Sequence, residues 1–474
     1  MSWTKYLSAK RLRPTTRNFE NDPRNEFESD FGRVIFSPAI RRMHDKTQVF
    51  PLTTDDNIHS RLTHSMEVMA IGHSLGLRLC EDKRFQEIID RDRNDILREI
   101  PVLLKNACLV HDIGNPPFGH FGETVIQNYF EDIFKNSTKY PFNLTDNQKI
   151  DFTKFDGNAQ GFRVLTKLQV LDDAFGLNLT YASLGAYVKY PNTLEIDKKI
   201  ISKKKRGVFQ SEEQYLNDVF TECGLKKADG SYVRHPLSYL MEAADSICYS
   251  VMDIEDGYNK GWYSYDFIKS RLAKIAGMDK IFDKVESKDD ISGMPPSETK
   301  KVVNLRIHLI ARLVTITIEN FITKYPEIIE GIYNKELIND DESKLAETLQ
   351  EFCSENIFPK HEVQSLELTG HSVLSGLLDY YINFIFKGNK DYKKRAVGLI
   401  SNSIIKTSLL ENGFDYDTIQ DTSNYYKLFE LPVNVGDKKL DDYSKLRIIV
   451  DFVAGMTDQY ALNHYQKLSG QKII

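Results

Sequence analysis

Val110-His111-Asp112-Ile113-Gly114-Asn115-Pro116-Pro117-Phe118-Gly119-His120-Phe121-Gly122-Glu123 decides how this chain of 474 residues is read. A His-Asp pair closes an apolar run. Pro101 opens that run, and Val102, Leu103, Leu104, Ala107, Leu109 and Val110 fill it. A Gly/Pro break follows, then a second His and a Glu three residues apart. Adjacent imidazole and carboxylate groups at the end of a buried helix are costly unless something pairs with them. A divalent metal is a partner that both side chains can ligate.

The bulk numbers bound the rest. With 41% hydrophobic and 27% charged residues the composition is globular, and the length allows about three domains and a large core. The 62 basic and 68 acidic residues leave a net charge of −6, so nucleic-acid binding would need a local patch. The five cysteines, Cys80, Cys108, Cys223, Cys248 and Cys353, form no CxxC and read as reduced thiols. Met1-Ser2-Trp3-Thr4-Lys5 shows no signal pattern, and no apolar run approaches the ~18 residues of a membrane span. The expectation is a soluble, cytoplasmic protein with no membrane partner.

Helical periodicity dominates. It predicts helices over 61–81, 102–112, from about 121, over 157–171, and from Pro236 to about Gly257. Further helices are expected over 302–324, 362–387, 393–411 and 441–468. Short strands are expected at 184–188 and 207–209, and a polar loop at 136–157. The fold class is all-α. The expected division is an irregular or helical segment 1–58 packing on the core, a catalytic core 59–260, and a C-terminal helical region 261–474 integrated with it. The stretch 287–301, with Gly293, Pro295 and Pro296, is the candidate linker.

Within 237–256, Asp245, Tyr249 and Asp253 recur every four residues, which at about 100° per residue keeps them on one slowly drifting stripe. Leu240, Ala243, Ala244, Ile247, Val251 and Ile254 around them are apolar. The stripe needs partners, and solvent on an exposed face would serve as well as a ligand. His64, in Arg61-Leu62-Thr63-His64-Ser65-Met66-Glu67-Val68, taken alone reads as an ordinary core or surface histidine. His44, His59, His73, His235, His308, His361, His371 and His464 stay in that class.

The conjunction changes the reading. His64, His111-Asp112 and Asp245 come from three separate expected helices in the order H…HD…D, which resembles the HD-domain metal-dependent phosphohydrolases. The flanks resemble the deoxyguanosine triphosphate triphosphohydrolase family more narrowly. They are Asp45-Lys46-Thr47-Gln48-Val49-Phe50-Pro51-Leu52, the block around His64, His111 through Glu123, and Glu242-Ala243-Ala244-Asp245. The likeness covers roughly 14–260 and continues weakly at 450–458.

That resemblance implies a helical HD bundle in which His64, His111, Asp112 and Asp245 hold one divalent ion per subunit. Mn²⁺ or Mg²⁺ is expected first, and Co²⁺, Fe²⁺ or Zn²⁺ also suit the donors. It implies hydrolysis of dNTPs, dGTP favoured, to deoxynucleoside and inorganic triphosphate. His120 and Glu123 match its acid/base pair. At i, i+3 they can also simply cap the turn and complement the helix N-terminus. Asn158 and Gln160 suit phosphate or sugar contacts, and the resemblance tilts Asn158 towards the α-phosphate, although Asn158 would equally serve as a helix N-cap. Arg61, Lys189 and Lys205, with Tyr190, match phosphate contacts. Lys198, Lys199, Lys203 and Lys204 read as solvated surface. Gln48, Tyr249 and Asp253 are expected around the deoxyribose, where crowding excludes a 2′-hydroxyl. Arg447 and Arg395 are expected phosphate contacts across a subunit boundary. The resemblance also implies a homo-oligomer, a hexamer, and single-stranded DNA is kept as a candidate effector from the nucleic-acid-binding reading. The competing readings are another HD phosphohydrolase (a nucleotidase, or a cyclic-nucleotide or alarmone hydrolase) and a non-catalytic nucleic-acid-binding HD protein.

Overall fold

The computed structural model describes residues 2–13, 22–50, 52, 58–136, 140–168, 175–193, 196–288, 294–430 and 436–472. Among these residues the chain is helical, and the only extended pairings are isolated bridges at Arg11–Thr180, Thr47–Ser60 and Lys226–Tyr232. The helices that build and brace the site are α1 Glu26–Ile35, α2 Arg61–Glu81, α3 Arg93–Val110, α4 Gly119–Lys135 and α5 Gly157–Thr166. They continue with α6 Tyr181–Tyr187, α7 Pro236–Asn259, α8 Glu298–Thr323, α9 His361–Ile382, α10 Asn402–Glu411, α11 Asp442–Ala454 and α12 Asp458–Leu468. No described helix is long and apolar enough to cross a membrane.

Local signals fix the ends of the key helices. Ser60 and Thr63 close a capping box at the start of α2. Pro236 at the first position of α7 suits a turn that has no need of its missing N–H, and the His235 ring caps it. Helix α3 starts earlier than the sequence suggests, at the Asp92 cap, so Pro101 sits inside it rather than opening it. Gly76 of α2 faces that proline. A Cβ there would stand 2.7 Å from Pro101 Cα, so glycine lets α2 and α3 cross in contact.

Apolar side chains gather in two clusters. One joins α2, α3, α6, α7 and α8; the other joins α4, residues 140–155 and α9 to α12. The turn after α3 runs along their seam, since Ile113 belongs to the first cluster and Phe118 to the second. Phe118 and Gly119 both take positive φ, 62° and 60°, which reverses the chain into α4. Glycine is required again at Gly114, where a Cβ would lie 2.0 Å from the Gly161 backbone nitrogen. Gly114→Ala is expected to cost about 1–3 kcal/mol, because backbone on α5 cannot give way. A denaturant midpoint shift at unchanged slope would show it.

Several expectations are corrected. Residues 184–188 lie in helix α6 and its C-cap, not in a strand, and 207–209 has no strand partner among the described residues. The stretch 136–157 holds a helix, Asp146–Thr153, with a Thr145/Gln148 capping box. Helix α5 ends at Thr166, and 169–171 lie outside the described residues. The span 393–411 divides at Ile400-Ser401, and 441–468 divides after Ala454. Of the linker, 289–293 lie outside the described residues, and α8 already begins at Glu298. Pro51 in the early block also lies outside them.

Candidate active site

Three helix-borne donors converge. His64 Nε2 on α2 and His111 Nε2 at the end of α3 lie 3.2 Å and 3.3 Å from Asp245 Oδ1 on α7. One ligand atom from each of the three lies within 4.8 Å of the others. His111 Nδ1 is 2.7 Å from the Cys108 carbonyl oxygen. It therefore donates there, which leaves the Nε2 lone pair facing the other donors. That buried Nε2 makes no hydrogen bond of its own. Separations near 3 Å suit adjacent ligands around an ion at about 2.0–2.2 Å. The donor set therefore fits one divalent cation. Asp112 is adjacent rather than equivalent: its Oδ1 is 3.6 Å from His111 Nε2, while its Oδ2 accepts from Arg61 Nη1.

The charges here hold one another. Burial works against ionised Asp245, but His111 and Lys189 outweigh it and keep its carboxyl well below the usual range. Asp112 is likewise held down, with Arg61 and His111 overcoming its burial. His111 is raised, since Asp112 and Asp245 outweigh its burial. Lys189 Nζ lies 3.2 Å from Asp245 Oδ2 and 4.0 Å from Glu242 Oε1, and Glu242 itself is anchored by buried Arg234 at 2.8 Å.

A second cluster sits at the start of α4. His120 Nδ1 is 2.9 Å from Glu123 Oε2, with His120 exposed and Glu123 buried. Glu123 Oε1 accepts from the Gly157 N–H at 2.6 Å. Lys205 Nζ lies 3.6 Å from Glu123 and 2.7 Å from Asp156. Burial would raise Glu123, but His120 and Lys205 bring it down to about 2. Glu123 raises His120 in turn. Arg61 joins the two clusters, with Nη1 on Asp112 and Nη2 against Gly119, where a Cβ would stand only 2.5 Å away.

The remaining expected residues fall into place unevenly. Lys205 is singled out from its neighbours by geometry: Lys198, Lys199 and Lys203 are exposed, and Lys204 turns towards Glu336 at 3.5 Å. Asn158 is not the cap of α5. Asp156 is, and its Oδ1 holds both the Asn158 N–H and side-chain amide. Tyr190 is buried beneath Lys204, and Tyr249 and buried Asp253 continue the Asp245 stripe along α7. Gln48 keeps a buried Oε1 without a hydrogen bond.

Two residues are corrected. Gln160 is buried between Arg447 and Asp451, at 3.1 and 2.9 Å, so both ends of its amide are already engaged within the chain. Arg447 is itself buried, 3.9 Å over the Phe209 ring, and so does not project towards another subunit. Arg395 is exposed.

Other supports have little local signal. Buried Lys46 Nζ donates to the carbonyls of Asn115, at 2.5 Å, and Ala454, at 2.9 Å. Asp458, opening α12, accepts from the backbone N–H groups of Thr47 and Phe118 at 3.0 and 2.9 Å. The two ends of the chain thus clamp the turn that carries His111 and His120. Only Asp156 could have been read from sequence, as a cap before Gly157.

Comparison with known proteins agrees with this geometry. Residues 61–150 match the HD domain and residues 429–467 match a phosphohydrolase-associated domain. A deoxyguanosinetriphosphate triphosphohydrolase-like protein of Listeria monocytogenes is 34% identical, over 99% of this chain and 100% of its own. One of Synechocystis is 33% identical over 99% of each chain. The deoxyguanosinetriphosphate triphosphohydrolase of Salmonella paratyphi A is 32% identical over 93% of each. A triad of converging donors from three helices, two of them buried and the third half-buried, and matches that run nearly end to end, place this chain in the HD-domain family of deoxyguanosinetriphosphate triphosphohydrolase-like hydrolases.

Proposed function

We propose that this protein hydrolyses deoxynucleoside triphosphates, dGTP first, to deoxynucleoside and inorganic triphosphate. The observation that carries the proposal is the shared Arg61, which ties the Asp112 side of the donor cluster to the turn bearing His120 and Glu123. A ligand spanning the two would meet donors for a cation, three fixed positive charges and an acid/base pair. His64, His111 and Asp245 would hold the divalent ion, with Asp112 beside them. A divalent ion bound there supplies polarisation of a phosphoryl oxygen and an acidified water.

The chain's own groups do the rest. Arg61, Lys189 and Lys205 neutralise the triphosphate, each already held by a carboxylate that keeps it in place. Asn158, held at the start of α5 by the same Asp156 that pairs with Lys205, would join them. Water oxygen would bond to the α-phosphorus and release a proton to solvent, the bond from phosphorus to the 5′ oxygen would break, and that oxygen needs a proton. His120, whose hold on a proton Glu123 strengthens, would give it. Tyr190 would stand with the phosphate contacts and Tyr249 against the deoxyribose, while Gln48 and Asp253 would offer polar groups to the sugar. A wall against the 2′ position discriminates by roughly 10–200-fold per small group.

The test is to incubate metal-reconstituted protein with each dNTP and NTP separately and identify the products. Triphosphate released in one step, fastest from dGTP and slow from GTP, is expected. Orthophosphate or pyrophosphate as first product would contradict the proposal and favour another HD phosphohydrolase. Within the division at 58 and 260, both outer segments brace the core, through Lys46 and Thr47 on one side and Asp458 on the other. The family likeness extends the proposal to a homo-oligomer, six subunits, and the nucleic-acid-binding reading extends it to single-stranded DNA as effector. Light scattering tests the first; oligonucleotide binding that weakens with salt tests the second.

A further inference from the structure

His59, which the sequence leaves among ordinary histidines, lies between two carboxylates. Its Nδ1 is 2.8 Å from Asp256 on α7, and its Nε2 is 3.1 Å from Glu67 on α2. Asp256 is buried and Glu67 keeps its second oxygen buried without a hydrogen bond. The ring therefore staples the helix that carries His64 to the helix that carries Asp245. Asp253 stands three residues before Asp256, on the same face of α7, and is buried. We infer that His59 is a positioning residue for the sugar end of the site: by clamping Asp256 and Glu67 it fixes Asp253 where a substrate 3′-hydroxyl arrives.

The inference rests on the sugar role given to Asp253 in the proposed function. Its electrostatics agree with the geometry. Burial and then Asp256 push the Asp253 carboxyl up, and His59 acts against both. His59 is raised to about 10, because Asp256 and Glu67 outweigh its burial, so it stays a double donor.

The test compares kcat/KM for dGTP and for 2′,3′-dideoxyguanosine triphosphate, which lacks the 3′-hydroxyl. Four metal-reconstituted forms are needed beyond wild type: His59→Gln, Asp256→Asn, Asp253→Asn, and the His59→Gln/Asp253→Asn double variant. The preference for dGTP is expected to fall about tenfold or more in His59→Gln and Asp256→Asn, carried mainly by KM. The double variant is expected to show the same preference as Asp253→Asn alone. Turnover of the dideoxy substrate shows that a variant has folded, and Asp256→Asn serves if His59→Gln does not. Equal losses on both substrates, leaving the preference intact while Asp253→Asn removes it, would overturn the role of His59 and leave the proposed function standing. A preference unchanged in Asp253→Asn would overturn the sugar reading and this inference with it.

Discussion

Asp245→Ala is expected to lose bound metal and turnover together, and His64→Ala to do the same. Asp245 Oδ1 is the atom both imidazoles face, at 3.2 and 3.3 Å, and its Oδ2 answers Lys189 at 3.2 Å. Truncation leaves two imidazoles, and an Asp112 whose second oxygen belongs to Arg61. It also leaves the Lys189 ammonium facing the vacated position, which repels any cation placed there. Losing one partner of a mostly buried charge pair destabilises by about 3–5 kcal/mol at most, so the fold of each variant should be checked by circular dichroism. Metal content after dialysis, measured by atomic emission alongside product formation, decides the matter. Full metal occupancy in folded Asp245→Ala would contradict the ligand assignment.

Glu123→Ala is expected to keep its metal while turnover falls about 10²–10⁴-fold, the usual worth of positioned acid/base chemistry. Glu123 touches none of the three converging donors. It holds His120 at 2.9 Å and takes the Gly157 N–H. Glu123→Gln keeps an acceptor for Gly157 and separates charge from packing. The pH profile gives a second readout. Glu123 raises His120, so a step that needs the imidazolium persists below that raised value and fails as pH climbs through it. Removing the carboxylate lets His120 fall back, and the alkaline limb of kcat/KM should move to lower pH. An unmoved limb, or turnover equal to wild type, would refute the assignment.

The donors were legible because their chemistry is local and expensive. His111-Asp112 closing an apolar run, and Asp245 in a polar stripe flanked by apolar neighbours, are polar groups that a core does not accept alone. The supports were not legible, because their meaning is supplied from far away. Lys46 looks like a loop lysine, yet it is buried with carbonyls 69 and 408 residues distant and is pushed down to about 7, mainly by that burial. His59 acquires its role only when Asp256, 197 positions on, folds beside it. Arg447 was misread for the same reason: an arginine expected at a surface is enclosed by Phe209, Gln160 and Asp451.

Errors of secondary structure have local causes. Helix α6 is buried along its whole length, so it shows no amphipathic period and resembles a short apolar strand. Its signal was the Thr180 side chain accepting from Ser183, an N-cap. Pro101 was read as a helix start, whereas α3 carries it inside, against the bare Cα of Gly76. The Thr145/Gln148 capping box was present in the sequence and announced the helix missed in 136–157.

The most direct test of the central claim is anomalous diffraction from a crystal of the protein grown with manganese. The account predicts one strong peak per subunit, bonded to His64 Nε2, His111 Nε2 and Asp245, with Asp112 completing the protein ligands. A peak bound elsewhere, or those side chains apart with none between them, would contradict it.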